Sequence, residues 1–354
     1  MTTTVLVTGA SGWLGRHILG ALAGRTDLHV IAAGRDAARV PATAHDTRIG
    51  DLTDPNYRRD VVRGVDVLIH AGTWSSFWGH RHEERTLFLE PSIDLLDQAV
   101  GAGVARVLLA STVAIGTPAA SGATDPADDV PTPRGYWPHL DAMVDVERHA
   151  RRIAGTGPGR TAVVSMRLGH FVGTGLELGL VSALIPRLRT RMVPWVDGGE
   201  ATMPLIAGED LGRAFALAAI AERLTGYVSV PIVGPEQPTA REAIAEIARA
   251  AGVPAPRYSV PTRAAFAFAG VMERLHPVLP GSSPFLTHAL VHVGMDWHSD
   301  PETARLLLGF EAQVPWREAV AESVEERRRA GFAWPRLAQL ATAPVGGPVR
   351  VASA

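Results

Sequence analysis

Cysteine is absent from the chain, which excludes disulfide scaffolds, thiolate nucleophiles, zinc ribbons and iron–sulfur centres. Lysine is absent too: all 34 basic residues are arginine, so any chemistry that requires an ammonium group is closed to it. Asparagine occurs only at Asn56, and tyrosine only at Tyr57, Tyr136, Tyr227 and Tyr258. The net charge of −2 provides no basic field for a polyanion, so nucleic-acid binding is disfavoured. Apolar runs stay below the roughly 18 residues a membrane span requires, and Ala264 to Val271 reads as a packed helix. Met1 to Val7 carries no basic n-region, and the expectation is a soluble, cytoplasmic protein with no membrane partner.

What is present is 354 residues with 46 % apolar and 20 % charged side chains, enough for two closely joined domains or one large unit with a second lobe. Val5 to Val7, His29 to Ala33, Val65 to His70, Val104 to Ala110 and Thr161 to Arg167 are apolar, β-prone runs separated by helix-length segments. That alternation predicts an α/β fold: a doubly wound parallel sheet of the Rossmann type, covered on both faces, with a smaller, mainly helical C-terminal lobe. The expected boundaries are 1–170 for the dinucleotide-binding domain, with a return segment at 206–233. The substrate lobe takes 171–205 and 234–330, and 331–354 forms a frayed tail. Residues 117–138, rich in Pro, Gly, Asp and Ala, read as an irregular loop before a helix near 139–153.

Thr8 to Gly15 lies between the first strand and first helix, where glycines have a mechanism. Gly9 permits the tight turn, Gly12 lets backbone approach a pyrophosphate, Gly15 allows close packing, and the helix N-terminus offers free N–H groups. Ser11, Trp13 and Leu14 complete this phosphate turn. At the end of the second strand the sequence reads Gly34-Arg35-Asp36, with Gly34 where an acid would bind a ribose 2′-hydroxyl. Arg35, assisted by Arg39, suits a 2′-phosphate, so NADP(H) is the expected cofactor. A register shifted by one residue would instead put Asp36 beside the ribose.

The turn, Gly50 to Asp54 and Val65 to Gly72 resemble the extended short-chain dehydrogenase/reductase family, also called NAD-dependent epimerase/dehydratase-like. Arg167 to Gly173, Gly208 to Leu211 and Leu306 to Phe310 are similar to its later signatures, so the resemblance spans about residues 4 to 330. It implies that Asp51 and Leu52 border the adenine, Ala71, Gly72 and Thr73 the ribose and phosphates, and Leu168, Gly169, His170 and Phe171 the nicotinamide.

The family uses a Ser or Thr to polarise a carbonyl, a Tyr to donate a proton and a Lys four residues on to lower the phenol's pKa. The resemblance puts Ser111 in the first position, with Thr112 the alternative one residue on. Counting back from Glu147 puts His139 in the tyrosine slot and Met143 in the lysine slot; a register starting at Tyr136 also lacks a cation. Phe88 falls near the family's asparagine. The expected catalytic residues are therefore Ser111 and His139, the proton coming from a substrate hydroxyl or from His139, with the substrate route favoured.

Trp74, Phe77 and Trp78 follow the fourth strand directly and, with Thr112 and Trp195, are expected to contact substrate. Their bulk favours an aromatic or polycyclic small molecule. The thirteen histidines show no metal-binding arrangement with carboxylates, and no metal is expected. The resemblance extends to reductases that tailor angucyclinone polyketides and lack the Tyr and Lys, which implies an NADPH-dependent ketoreductase acting on a polyketide-type ketone in antibiotic biosynthesis. A non-redox isomerase, dehydratase or cyclase, and a non-catalytic NADP sensor, are the alternatives.

Overall fold

The computed structural model describes residues 2–116, 132–222, 224–279 and 281–339, so most of the predicted 117–138 loop lies outside the described residues. In chain order the elements are β1 (Thr3–Thr8), α1 (Trp13–Leu22), β2 (Leu28–Gly34), β3 (Asp46–Ile49), α2 (Pro55–Val61), β4 (Val67–His70), α3 (Arg81–Glu84), α4 (Glu90–Gly101), β5 (Arg106–Thr112), α5 (Pro138–Ile153), β6 (Ala162–Leu168) and β7 (His170–Val172). There follow α6 (Leu180–Arg189), β8 (Trp195–Val196), β9 (Leu205–Ala207), α7 (Gly208–Ile220), β10 (Tyr227–Ile232), α8 (Ala240–Ala251), β11 (Ser259–Val260), α9 (Thr262–Leu275), α10 (His288–Val293), α11 (Glu302–Leu308) and α12 (Trp316–Ala330).

Seven strands form one parallel sheet in the order β3-β2-β1-β4-β5-β6-β10. The apolar runs at β1 and β4 are buried throughout or nearly so, as a sheet covered on both faces demands. One face packs Val5 and Val7 against Ile18 and Leu19 of α1 and Leu211 and Phe215 of α7. The other packs Leu6 and Leu68 against Tyr57, Leu95, Leu96 and Val146 of α2, α4 and α5. Strand order reverses at β1, so the loops leaving β1 and β4 part at their carboxyl ends, where open α/β sheets take their ligands. Thr8 and His70 face each other at that point. The His70 ring lies between the hydroxyls of Thr8 and Ser92, both at 2.9 Å, and burial pushes its pKa down to about 4, which makes it a neutral tie between β1, β4 and α4.

The second lobe has its own core, built from Val181, Ile185 and Leu188 of α6, Ile247 of α8 and Trp316, Val320 and Val324 of α12. Two expected boundaries move. Ala304, Leu308 and Phe310 pack into the sheet's core, so α11 belongs to the nucleotide-binding unit and not to the substrate lobe. Residues 331–339 are docked: Phe77 N–H donates to Leu337 O at 2.7 Å and Gln339 N–H to Ser75 O at 3.0 Å, an antiparallel contact with the loop after β4. Residues 331–339, expected in a frayed tail, are thus held against the loop after β4, and the rest of that tail lies outside the described residues. Among the described residues no helix is long and apolar enough to cross a membrane.

Candidate functional site

The β1–α1 turn is built by steric exclusion. Gly9 has a φ of +67°, and a Cβ there would lie 2.7 Å from Ala71 O and from Gly72 N, so the turn and the end of β4 approach backbone to backbone. At Gly15 a Cβ would stand 2.2 Å from Gly9 O. Gly12 differs: its φ of −76° suits any residue, a Cβ would meet only Gly9 O at 3.1 Å, and as N-cap of α1 it supplies no capping side chain. The first turn of α1 contains no acid, so its free amides and dipole face the cleft unopposed. Trp13 stacks on Phe171 with centroids 5.3 Å apart and donates from Nε1 to Thr174 O at 2.6 Å, which pins the loop after β7 against the turn. Leu14 packs toward the sheet core, and Ser11 O accepts from Arg16 Nε at 3.1 Å.

At the exit of β2, Arg35 and Arg39 are exposed, and Arg16 also donates to the Arg39 carbonyl. Asp36 caps the short helical turn Ala37–Arg39, its carboxylate accepting from Ala38 N at 2.9 Å. Asp51 accepts from Thr53 N and Oγ1, both at 2.9 Å, while Leu52 packs beside Gly72. A Cβ at Gly169 would lie 2.5 Å from Pro204 O, which keeps the segment after Leu168 close to β9.

A dinucleotide fits this frame. The glycine-walled turn brings backbone close where pyrophosphate must approach, and His170 Nε2 and Trp74 Nε1, on the segments that follow β6 and β4, are buried without a hydrogen-bond partner. Buried polar atoms of native proteins are paired, and a ligand bound at this end of the sheet would offer these two a partner. Burial pushes His170 down to about 4, leaving it neutral at pH 7.

Ser111 requires a correction. Its side chain is buried and its hydroxyl donates to Glu147 Oε2 at 2.7 Å. The same carboxylate takes Ser165 Oγ at 2.6 Å, Tyr227 OH at 2.8 Å and Arg167 through Nε at 3.1 Å and Nη2 at 2.5 Å. With its proton held by a buried, fully engaged carboxylate, Ser111 anchors β5 to α5 and β6 and is not placed to polarise a carbonyl. Thr112, on the opposite face of the strand, is half-buried, and its Oγ1 accepts from Ala114 N at 3.2 Å.

α5 begins at Pro138, and Asp141 accepts from the N–H groups of Arg134 and Gly135, so the preceding turn holds Tyr136 and Trp137 in place and the first turn of α5 carries His139. His139 Nδ1 is 2.9 Å from Glu84 Oε2, and its ring lies beside Phe88 at 5.5 Å. Tyr136 OH is 2.7 Å from His292 Nδ1, and His292 Nε2 is 2.8 Å from Ala114 O. A carbonyl only accepts, so His292 carries its proton on Nε2 and Tyr136 donates to Nδ1; burial keeps this imidazole neutral, near 4. Neither Glu84 nor the Tyr136–His292 pair was legible as a site. The only available signal was the density of histidine and aromatic residues in these segments.

The aromatic wall is partly present. Phe77 stacks on Trp137 at 5.5 Å, Tyr136 meets Phe266 edge-on at 5.4 Å, and Trp78 donates to Arg336 O at 3.1 Å. Thr73 and buried Trp74 begin the same loop. Trp195 does not join it: its ring is buried under the Arg241 guanidinium, 4.7 Å away, and against Gly199 in the second lobe. His288 and His292 turn to different partners, Glu273 and the Tyr136–Ala114 pair, and among the described residues no group of three or more His, Cys, Asp or Glu could hold a metal.

Comparison with known proteins agrees with this frame. The chain is 26 % identical over 322 residues, 89 % of this chain and 93 % of the relative, to a 4-hydroxy-2-methyl-3-oxo-4-farnesyl-3,4-dihydroquinoline-1-oxide ketoreductase of Stigmatella aurantiaca. It is 25 % identical over 338 residues to a 2-alkyl-3-oxoalkanoate reductase of Stenotrophomonas maltophilia, covering 89 % of this chain and 97 % of that one. The solved structure of MoeE5 with UDP-glucuronic acid and NAD superposes with a TM-score of 0.67 at 23 % identity, covering 92 % and 99 % of the two chains, and shares the fold. Residues 5–226 match the NAD dependent epimerase/dehydratase family, and the chain belongs to that family.

Proposed function

We propose that the protein is an NADPH-dependent ketoreductase acting on a bulky, apolar ketone of the polyketide type. The observation that carries this reading is the conjunction of an acid-free, glycine-walled helix N-terminus with an aromatic wall on the loop after β4. Gly9, Gly12 and Gly15 with the α1 amides would hold the pyrophosphate, and Arg35 and Arg39 the 2′-phosphate, with Asp36 occupied as a cap. His170 and Phe171 would border the nicotinamide, and Trp74, Phe77 and Trp78 the substrate. When bound, the reduced dinucleotide supplies a hydride; the chain's own task is to orient the ketone, exclude water and deliver a proton.

The two reductase relatives are named for ketones that carry a farnesyl or an alkyl chain, which supports a large apolar substrate and widens the class beyond flat polycycles. The test is absorbance at 340 nm with NADPH or NADH against polycyclic and long-chain ketones. Consumption of NADPH in preference to NADH is expected, and Arg35→Ala should erase the preference. Product formed without net oxidation of the dinucleotide would favour an isomerase or cyclase, and binding without turnover a sensor.

A further inference from the structure

Glu84 lies in the charged run His80 to Arg85, yet its side chain is only 2 % exposed. Its Oε1 accepts from Ser76 N at 2.8 Å and Ser76 Oγ at 2.9 Å, and its Oε2 faces Nδ1 of His139. Buried carboxylates are retained only when fully hydrogen-bonded, and here three donors converge on one, two of them from the loop that carries the aromatic wall. Trp137 Nε1 donates to Ser76 O at 2.7 Å, so loop, carboxylate and imidazole form one rigid unit. The chain between α3 and α4, Arg85–Leu89, is a π-helical turn, a distortion common at functional sites, and it holds Phe88 against the His139 ring. His139 itself keeps 12 % of its side chain exposed.

We infer that His139 and Glu84 form an acid–base dyad, with His139 exchanging a proton with the substrate oxygen at Nε2 and Glu84 acting as the positioning residue that sets its tautomer. The inference rests on the reductase reading above. An ionised carboxylate only accepts, so a neutral His139 must carry its proton on Nδ1 and present a lone pair at Nε2; the protonated ring presents N–H at the same atom. One nitrogen thus alternates between acid and base, the exchange that a lysine-free chain cannot assign to an ammonium-assisted phenol. In the reductive direction a bound reduced dinucleotide would supply the hydride to the carbonyl carbon; as the C=O π pair moves to oxygen, His139 gives that oxygen its Nε2 proton. The ring is left neutral, keeping its Nδ1 proton hydrogen-bonded to Glu84, and a proton from solvent returns to Nε2.

Glu84→Gln is isosteric and still accepts from Ser76, but it turns an N–H toward Nδ1 and forces the neutral ring to protonate Nε2. Nitrogen-15 NMR of the ligand-free protein at a pH where the ring is neutral should show His139 protonated at Nδ1 in the wild type and at Nε2 in Glu84→Gln. His139→Ala should lose on the order of 10²–10³-fold in kcat with dinucleotide affinity unchanged, and free imidazole should restore part of the loss. An Nε2-protonated ring in the wild type overturns the dyad, and so does reduction by His139→Ala at the wild-type rate, which would make the pair a structural tie and the substrate hydroxyl the proton source. The tautomer is read without turnover. An Nε2-protonated wild-type ring therefore overturns the dyad even if Glu84→Gln does not fold, and failure to reduce any ketone, with Nδ1 protonated, overturns the reductase reading and leaves the pair as a positioned tautomer.

Discussion

Gly12, the N-cap of α1, and Gly15, inside its first turn, answer to different constraints. A methyl at Gly15 collides with the Gly9 carbonyl, so Gly15→Ala should destabilise the fold by about 1–3 kcal/mol. Gly12 has an ordinary φ and a Cβ there meets only Gly9 O, at 3.1 Å, so Gly12→Ala should lower the melting temperature less than Gly15→Ala does. It should still raise the dinucleotide Kd by about tenfold or more, a loss of about 1.4 kcal/mol or greater. Thermal melts with and without dinucleotide separate the two effects; equal affinity in Gly12→Ala would move the phosphates away from this turn. Ser111 marks the opposite case, a residue whose type matched a catalytic slot but whose proton is held elsewhere. Ser111→Ala should retain most of kcat while losing about 1.5–3 kcal/mol of stability, the range for a hydrogen bond to a charged group. A collapse of activity without loss of stability would return it to the chemistry.

Elements were legible where physics is local. Short, mainly apolar runs of three to seven residues announce strands buried on both faces, and β1, β2, β4, β5 and β6 formed on them. β3, with the sequence Asp-Thr-Arg-Ile, was not legible because an edge strand needs no apolar face. Helix α5 was visible, but not that its inner face carries Glu147 into a cluster of Ser111, Ser165, Arg167 and Tyr227 drawn from three strands. That cluster is a stability device. Glu147→Ala would remove the carboxylate that neutralises the buried Arg167 guanidinium and should cost about 3–5 kcal/mol, measurable by denaturant unfolding. Glu84 was hidden for a related reason: in sequence the run from His80 to Arg85 reads as a solvated surface, and only the long-range pairing with Ser76 and His139 shows that one member is buried.

On the scale of the whole molecule, the chain binds its two lobes through polar ties that composition cannot display. The segment from Trp334 to Gln339 crosses from Ser283 in the second lobe to Ser75 and Phe77 beside the cleft. Three histidines, His70, His170 and His292, are held neutral by burial with pKa values near 4, below the value near 6.5 of the unfolded chain. Between those values the unfolded state binds more protons, so their contribution is intact above pH 6.5 and drains away as pH falls toward 4. Melting temperature should fall steeply over that interval, and replacing His70 by Gln should flatten the slope; a flat profile in the wild type would show that these rings are already hydrated.

The decisive measurement is isotopic. With NADPH deuterated at C4 and a bulky aromatic or long-chain ketone, the alcohol should carry one deuterium at the carbinol carbon for each dinucleotide oxidised. Unlabelled product with no loss of NADPH would contradict hydride delivery in this cleft.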